Sequence, residues 1–568
     1  MKTLPSPQRR KTRRIPTAIH TALLFGCLVS ASYAAETSGS YHLAQLSHVP
    51  TAITSGQAAR VASLASGMHL QLSLNLPLRN ETELDQLLQQ IYDPQSPNYH
   101  HYLSVQEFTN RFAPTQQDYD RVVAWATANG LKVTSMPVNR RLVGVDGSVE
   151  NINRALHLTI GSYQHPTEGR TFFAPDREPT VDLAVPLLQI TGLNNFALPH
   201  THLRHGDALL AVRSTGRLSG SGPSGQFLPS DMRAAYYGSS GTLTGAGQTV
   251  GIFSFEGYNS SDVQLFYSTT GTSSNVPINN VLVNGFDGSC GSGCDDGEQV
   301  LDIVNVIGMA PGLSKVLFYE GSSATDVLNQ MATDNTAKIL SCSWYDGDFG
   351  HAQDPIYKEF QAQGQTFVNA SGDDGAYNRQ TFGYPSLTPN VLQVGGTDLT
   401  TNGAGGGWSS ETAWSYSGGG NYSTAKYTIP SYQSQAGVIT SSNKGSTTLR
   451  NDPDVAMEAN FDNPTVSNGQ FETGYGGTSF AAPRWAGFLA LANQQLAAAG
   501  KGPLGDIHAT IYSLGLGSNY HSLFHDITSG SNPPTSGSGS GFKAVSGYDL
   551  VTGWGSANGQ ALINALTQ

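Results

Sequence analysis

The sequence has little cysteine. Only 4 of its 568 residues are cysteine, which excludes a disulfide-dense scaffold and leaves few thiolates for a metal centre. Cys290 and Cys294 flank a Gly-Ser-Gly loop and could close a small disulfide, whereas no histidine lies nearby to complete a metal site. Cys342 lies in an apolar, strand-like stretch that is typical of a buried thiol.

Basic residues are scarce in the C-terminal two-thirds of the chain. From residue 225 onward there are 11 basic residues against 27 acidic ones. This balance excludes nucleic acid as a partner, because a phosphate backbone requires a basic face. Carboxylates titrate near about pH 4, so such a surface loses much of its charge and self-repulsion in an acidic environment.

Long apolar runs are absent beyond the N-terminus. Residues 1–34 have the pattern of a secretory signal peptide: a basic start, a largely apolar stretch over 15–30, and small residues around Ala34. The apolar stretch is too short and too mixed for a transmembrane helix, and no later one reaches that length. The sequence predicts a secreted, soluble protein with no membrane partner, and an N-terminal anchor is the alternative.

Composition divides the rest of the chain into three parts. Residues 35–199 combine predicted helices (81–92, 116–129) with predicted strands (131–136, 142–146, 156–163), which favours a compact α+β unit of βαββαβ type. Residues 200–224 are rich in Arg, Ser and Gly. They are typical of a linker that is open to proteolytic maturation.

Residues 225–568 alternate predicted strands and helices. Strands are predicted over 249–255, 315–319, 339–344, 366–370 and 391–395, and helices over 298–307, 324–333 and 355–363. This alternation predicts an α/β domain in which helices cover both faces of a parallel sheet. In such sheets, sites form at the carboxyl ends of the strands.

A glycine turn delivers Ser479 to the start of an apolar helix. Gly476 and Gly477 permit backbone conformations that are closed to other residues, and the N-terminus of the helix favours developing negative charge. Ser479 is therefore a candidate nucleophile. The alternative for this segment alone is an N-capping serine without chemistry.

Two carboxylate clusters accompany this serine. Glu298 and Asp302 are four residues apart and share one helix face, without a lysine at matching spacing. Asp373 follows a predicted strand in a Gly/Asp turn. Taken alone, the first cluster is also compatible with a solvated acidic face, and the second with an ordinary turn.

Together these segments resemble the sedolisin family of serine-carboxyl peptidases, which includes the kumamolisins. Gly476-Gly477-Thr478-Ser479, followed by Pro483, is similar to the family's nucleophile motif, and residues 93–104 resemble its activation domain. The resemblance implies a subtilisin-like parallel sheet with helices on both faces, preceded by a ferredoxin-like propeptide that inhibits the enzyme intramolecularly. It also implies that Glu298 is the base, Asp302 its supporting acid and Asp373 the oxyanion residue.

This chemistry requires protonated carboxyl groups. Asp373 donates a hydrogen bond to an oxyanion only while it keeps its proton, and adjacent carboxyls do not both ionise cheaply. We therefore expect activity at about pH 3 to 5. The competing mechanism uses a histidine base, as in subtilisins. His351, His508, His521 and His525, the histidines after residue 210, lack the sequence setting of such a base.

The resemblance further implies one Ca²⁺ ion near the C-terminus. The carboxylates of Asp526 and Asp549, with the main-chain carbonyls of Ile527, Val545 and Gly547, would form a hard oxygen cage. Val545 replaces a glycine of the family pattern, but only its carbonyl would bind. A pair of turns without metal is the alternative.

The sequence thus predicts a secreted, monomeric, calcium-stabilised acid endopeptidase made as a zymogen, acting on protein and peptide substrates. Acidification would protonate carboxylates between the propeptide and the enzyme, loosen the propeptide and permit self-cleavage within 200–224. A tripeptidyl-peptidase, or a secreted binding protein that retains an idle site, are the alternatives. Tyr345 and Asp374 depart from the family pattern, which predicts a cleft of altered shape and charge.

Overall fold

The structure is a computed structural model that describes residues 41–42, 48–206, 219–290, 295–346 and 350–568. The predicted signal peptide, residues 207–218 of the predicted linker, and Cys294 lie outside these ranges. Cys290 is disulfide-bonded, and Cys342 is a buried free thiol, as predicted.

A four-stranded antiparallel sheet forms the centre of the N-terminal unit. Its strands follow in the order Lys132–Ser135, Leu142–Ser148, His69–Asn75 and Gln189–Thr191. The helices Gln116–Ala128 and Val149–Leu156 pack on this sheet and share its core. The order and the connections are those of the predicted βαββαβ unit.

One predicted strand of this unit is wrong in part. Residues 149–156 form a helix because Val149, Ile152, Ala155 and Leu156 follow a helical spacing and are buried together. The strand Ile160–Gln164 that follows joins a second sheet with Arg60–Ser63 and Thr171–Pro175. The short strand Gln189–Thr191 takes its place at the edge of the central sheet.

Three of the N-terminal helices begin at hydroxyl caps. The side chains of Ser104, Thr115 and Ser148 each accept a hydrogen bond from the main-chain N–H three residues later. These bonds satisfy donors that the first turn of a helix leaves without partners. The helices Glu81–Ile91 and Val105–Phe112 share a small apolar core that includes Ala362 of the C-terminal unit.

An eight-stranded sheet organises the C-terminal unit. Seven strands run in the order Ile278–Leu282, Lys315–Glu320, Thr249–Ser254, Ile339–Cys342, Thr366–Ala370, Leu392–Thr401 and Trp408–Ala413, and Val455–Glu458 also pairs with Leu392–Thr401. All pairs are parallel except that of Trp408–Ala413. This confirms the predicted α/β class.

Helices cover both faces of this sheet. The glutamate helix (Gly297–Met309) and the serine helix (Thr478–Ala498) lie in one core with the strand residues Val250, Ile252 and Val394. The helices Ala324–Asp334 and Asp354–Ala362 lie in another core with Phe253 and Leu340. Successive strand residues point to opposite faces, which explains why their apolar side chains are divided between two cores.

Shorter elements complete the described chain: Tyr41–His42, Thr51–Thr54, Thr180–Val181, His200–Thr201, Arg204–His205, Pro223–Gly225, Pro229–Arg233, Ala234–Gly238, Ser260–Thr270, Trp344–Tyr345, Ser423–Ala425, Asn463–Ser467, Gln470–Gly476, His508–Leu516, Tyr520–Leu523, Phe524–His525, Ser556–Ala557 and Gly559–Leu566. Among the described helices, none has both the length and the apolar character that a bilayer span requires.

Polar contacts join the N-terminal unit to the C-terminal unit. Ser73 Oγ donates to Asp326 Oδ1 at 2.5 Å, and Asn139 Nδ2 lies 3.2 Å from both carboxylate oxygens of Glu359. Tyr102 Oη lies 2.9 Å from the carbonyl oxygen of Leu504. The N-terminal unit therefore buries acidic side chains of the C-terminal unit beneath it.

Candidate active site

Ser479 is the second residue of the serine helix and lies two positions after Gly477, whose backbone conformation other residues rarely adopt. Gly477 adopts φ 149°, and a Cβ there would lie 2.1 Å from the carbonyl oxygen of His202 and 2.7 Å from Asp373 Oδ2. Only glycine fits this position. The two oxygens occupy the space that a side chain of residue 477 would fill, and we call this the open side of Gly477. Ser479 is fully buried, and its hydroxyl has no hydrogen-bond partner of ordinary geometry among the described residues.

Glu298 and Asp302 lie on the glutamate helix, which packs against the serine helix. Gly487 makes this close approach possible, since a Cβ there would lie 2.7 Å from Met309 Cβ. Asp302 Oδ1 accepts a 2.7 Å hydrogen bond from Ser343 Oγ. Both carboxyl groups are buried, so they do not form the solvated acidic face that was the alternative.

The acidity of this pair is strongly reduced. Burial, followed by the charge of Asp302, raises the pKa of Glu298 well above its usual range, and the nearby hydroxyls of Ser479 and Thr201 oppose this rise. Burial also raises the pKa of Asp302, against its hydrogen bond from Ser343. Two such neighbours retain at least one proton between them.

Asp373 lies in the turn after the strand Thr366–Ala370, beside the start of the serine helix. Its Oδ1 accepts hydrogen bonds of 2.8 Å from both the main-chain N–H and the hydroxyl of Thr478. Its Oδ2 is buried without a partner among the described residues. Burial raises the pKa of Asp373 to about 8, although the hydrogen bonds from Thr478 lower it. The carboxyl group is thus neutral in acid and able to donate from Oδ2.

The start of the predicted linker occupies the cleft above Ser479. His202 N–H donates to the carbonyl of Ser343 at 3.0 Å, and the carbonyl of His202 accepts from Ser479 N–H at 3.3 Å. On one side, His200–Thr201 pairs antiparallel with Trp344–Tyr345. On the other side, Arg204–His205 pairs antiparallel with Tyr475–Gly476.

The side chains on either side of the His202 carbonyl are well packed. The imidazole of His202 is buried and stacks on the Tyr345 ring at 4.6 Å and 19°. Burial, then the charges of Arg204 and His200, lowers the pKa of His202 to about 3. Leu203 packs against Leu301, Tyr475 and Phe480. The sequence did not identify His202, because it contacts Ser479 through its main-chain carbonyl and not through its side chain.

Comparison with known proteins agrees with this geometry. A family model described as "Pro-kumamolisin, activation domain" matches residues 56–196, and one described as "Subtilase family" matches residues 284–511. Sedolisin of Pseudomonas sp. (strain 101) is 31% identical to this chain, and the match covers 95% of this chain and 94% of that relative. The chain belongs to the sedolisin family.

Two further relatives extend the similarity. Kumamolisin of Bacillus sp. (strain MN-32) is 28% identical, covering 83% of this chain and 87% of its own length. Tripeptidyl-peptidase sed1 of Aspergillus fumigatus is 26% identical, covering 86% of this chain and 92% of its own length. The chain is therefore a serine-type peptidase of the sedolisin family with an N-terminal activation domain, as predicted.

The four late histidines have other partners. His508 lies 2.5 Å from Asp506 Oδ1, His351 lies 3.0 Å from Asp354 Oδ2, and His525 stacks on Trp408 at 4.0 Å. His521 is mostly exposed and lies 3.8 Å from Asp526 Oδ2. Among the described residues, none of these four histidines contacts Ser479, so none of them is placed to act as its base.

The predicted calcium ligands come together in space. Asp526 Oδ1 accepts from Gly547 N–H at 3.1 Å, and Asp549 Oδ2 accepts from Val545 N–H at 3.0 Å. The carbonyl oxygens of Ile527, Val545 and Gly547 accept no hydrogen bond from the described residues. Two carboxylates and three available carbonyls form an all-oxygen donor set that fits a Ca²⁺ ion.

A second acidic cluster was missed by sequence reasoning. Ligand atoms of Asp398, Glu458 and Asp462 lie within 4.8 Å of one another. Arg484 already provides a positive charge here, since it lowers the pKa values of Glu458 and Asp462 against the larger effect of burial. Glu458 and Asp462 are four residues apart, but Asp398 lies on a different strand and far from both in sequence, so no local motif contains all three.

Proposed function

We propose that this protein is an acid-active serine-carboxyl endopeptidase that is secreted as a zymogen. The observation that carries the proposal is the position of the His202 carbonyl, which accepts from Ser479 N–H and faces the same open side of Gly477 as Asp373 Oδ2. A substrate carbonyl held in this way is polarised by two donors and exposed to the serine hydroxyl.

The named residues then act in sequence. Glu298 takes the proton of Ser479 as its oxygen bonds to the substrate carbonyl carbon, and Asp302 holds Glu298 in place and shares a proton with it. The protonated Asp373 and Ser479 N–H stabilise the resulting oxyanion. Glu298 passes the proton to the leaving amine as the peptide C–N bond breaks, and water hydrolyses the acyl-enzyme by the reverse steps.

The pKa directions support activity in acid. Asp373 is an oxyanion donor only below its pKa, which is about 8 with the linker in place. Departure of the linker admits water and reduces the effect of burial, so the pKa values of these carboxyls move down toward the ordinary range of about 4. We therefore expect the optimum of the mature enzyme at about pH 3 to 5.

Maturation is proposed to begin at the His202–Leu203 bond, because the carbonyl of His202 is the one held at the serine. This bond lies within the predicted linker. Among the carboxylates between the propeptide and the enzyme, Asp326 and Glu359 are not suited to an acid trigger, since burial raises both pKa values, that of Glu359 to about 7. Docking therefore favours their protonated forms, and acid stabilises these contacts.

The pKa of His202 is shifted downward, and this side chain is therefore better suited to release the linker in acid. Its docked pKa of about 3 lies below the ordinary value of about 6.5 for histidine. Its contribution to docking is therefore present above about pH 6.5 and is lost as the pH falls toward 3. Acidification would loosen the linker while Glu298 and Asp302 keep the one proton that they share and Asp373 remains protonated.

Endopeptidase action is favoured over the release of tripeptides. The strand pairings continue on both sides of the held carbonyl, and the chain runs on beyond each of them. A tripeptidyl-peptidase needs a barrier to the chain three residues before the scissile bond. An idle binding protein would not need two buried, protonated carboxyls beside an unpartnered serine hydroxyl.

Calcium, location and oligomeric state complete the proposal. One Ca²⁺ ion would be held by Asp526, Ile527, Val545, Gly547 and Asp549 and would order the glycine-rich segment before residue 545. The pattern of residues 1–34 supports secretion, and the protein is proposed to act as a monomer.

A processing assay tests the proposal. Wild-type and Ser479→Ala precursors are acidified to about pH 4, with casein as substrate, and the products are identified by mass spectrometry. We expect the wild type to cleave after His202 and to digest casein, and the Ser479→Ala precursor to do neither. Equal processing or equal casein digestion by both would overturn it.

A further inference from the structure

The side chain of Arg204 is held by two residues of the C-terminal unit. Its guanidinium group forms an ion pair with the Asp374 carboxylate, and its Cζ lies 5.1 Å from the centre of the Tyr416 ring. Arg204 is the second residue after the bond proposed to be cut. We propose that Asp374 and Tyr416 form a subsite for a cationic side chain at this position of substrates, so that the mature peptidase selects arginine there.

The backbone fixes this position without regard to the side chain. Arg204 is paired with Gly476, and His205 with Tyr475. Both partners precede the helix that carries Ser479, so any substrate strand in this register places its second residue after the cut over the same point. Because strand pairing uses main-chain atoms only, selection there depends on side-chain contacts such as those of Asp374.

Asp374 is positioned by its own domain. Thr535 Oγ1 donates to Asp374 Oδ1 at 2.7 Å, and Thr535 N–H donates to the Asp374 carbonyl at 2.9 Å. These bonds remain when the linker leaves, whereas the guanidinium group of Arg204 departs with it. The mature cleft then keeps an oriented carboxylate without its cation, in a domain with few basic residues.

The chemistry of the pair favours arginine over lysine. A planar guanidinium group binds a carboxylate edge through two N–H groups and also stacks on an aromatic face, whereas an ammonium group is a compact, strongly hydrated charge. About a third of both the Arg204 and Asp374 side chains is exposed, so water and salt screen the pair. We therefore expect a moderate preference of about 5- to 10-fold.

A peptide series tests this inference, which rests on the proposed function. Four internally quenched peptides have the sequence of residues 200–206 and differ only at position 204, which is arginine, lysine, citrulline or glutamate. The value of kcat/KM is measured for each peptide with acid-matured enzyme. Citrulline keeps the shape of arginine without its charge. We expect arginine to exceed citrulline by about 5- to 10-fold, lysine to lie between them and glutamate to be poorest. Added salt should reduce the arginine advantage and leave the citrulline rate unchanged.

Three variants test whether the preference for arginine depends on Asp374 and Tyr416. Asp374→Asn should bring the arginine-to-citrulline ratio to within about 2-fold, and Tyr416→Leu should reduce it in part. Asp287→Asn removes an exposed carboxylate elsewhere and should leave the ratio unchanged. The ratio cancels any general effect of Asp374 on its neighbour Asp373.

The outcomes separate the two proposals. If wild type cleaves all four peptides equally while Ser479→Ala cleaves none, the peptidase stands and the subsite is refuted, which makes Arg204 an anchor of the zymogen only. A ratio that persists in Asp374→Asn would also refute the subsite. If no peptide is cleaved, or Ser479→Ala cleaves them as well, it is the proposed function that fails.

Discussion

The main-chain N–H of Ser479 lies 3.3 Å from the carbonyl oxygen of His202. This contact joins the predicted nucleophile to the segment that connects the activation domain to the peptidase domain. It places a peptide bond of the chain's own beside the serine that we propose as the nucleophile. The predictions below follow from this arrangement and from the carboxyl groups around it.

Replacement of Asp373 tests the neutral oxyanion donor. In Asp373→Asn the amide oxygen can accept the two hydrogen bonds from Thr478, and the NH₂ group then stands where Oδ2 lacks a partner. An amide donates at every pH. We expect kcat/KM to fall less steeply than in wild type as the pH rises from about 5 to about 8, whereas Asp373→Ala should lose about 10²- to 10³-fold. An asparagine variant as inactive as the alanine variant would contradict this role.

The glutamate pair is tested by two amide substitutions. Glu298→Gln removes the base and should lower kcat by about 10²- to 10⁴-fold at each pH. Asp302→Asn keeps the hydrogen bond from Ser343 but cannot share a proton with Glu298. We expect Asp302→Asn to lower kcat less and to shift the acid limb of the pH profile. Pre-steady-state acylation rates measure both effects, and a Glu298→Gln enzyme with wild-type acylation would exclude the glutamate as base.

Protonation of His202 should release the linker from the cleft. Its docked pKa is about 3 because it is buried and faces Arg204 and His200 beside the Tyr345 ring. In the Ser479→Ala precursor, which does not cut itself, amide exchange of residues 200–206 should speed up, after correction for intrinsic rates, as the pH falls from about 6.5 toward 4. The matched variant His202→Phe can stack on Tyr345 without taking a proton and should retain its protection. Equal loss of protection in both precursors would assign the trigger elsewhere.

Calcium should stabilise the peptidase through the C-terminal oxygen cage. At a free calcium concentration of 100 times the Kd, a site present only in the folded state contributes about 2.7 kcal/mol to the free energy of unfolding. A chelator should therefore lower the melting temperature of wild type, and Asp526→Ala should lower it to the same level without a chelator. Asp398→Asn alters the other acidic cluster and should leave the calcium response intact. A response lost in Asp398→Asn and kept in Asp526→Ala would move the ion to that cluster.

Carboxyl burial should make the protein less stable as the pH rises. Burial, then the charge of Asp398, raises the pKa of Asp462 to about 7. A raised carboxyl pKa gives stability that is fully present below the unfolded value of about 3.9 and is lost as the pH rises through about 7. Thermal melts of wild type and Asp462→Asn at about pH 4 and about pH 7 measure this difference. The wild type should lose more stability than the variant.

Local signals in the sequence predicted the main elements of the fold. The alternation of apolar strands and helices gave the parallel sheet, and the predicted helices 81–92 and 116–129 correspond to Glu81–Ile91 and Gln116–Ala128. The strand predicted over 156–163 is wrong at its start because Leu156 belongs to the helix Val149–Leu156, whose buried residues follow a helical spacing. Short edge strands such as Gln189–Thr191 carry too few residues for a period to be read.

The candidate catalytic residues could be found from sequence because each lies in a local motif. The glycine turn before Ser479, the spacing of Glu298 and Asp302, and the turn at Asp373 follow from chain geometry within a few residues. The proximity of Arg204 to Asp374 and of His202 to Ser479 could not be found in this way. These pairs form only when the connecting segment enters the cleft.

The sequence by itself determined the class of the sheet, because that depends on periodicity along the chain. Its resemblance to the sedolisin family indicated the family of the peptidase and the residues that are candidates for its chemistry. Only the tertiary structure decided which peptide bond lies at the serine and which carboxylate meets the arginine of the connecting segment. It also decided whether the pKa of each buried titratable group is raised or lowered. Burial and charge contacts between distant segments set these properties, and neither can be read from neighbours along the chain.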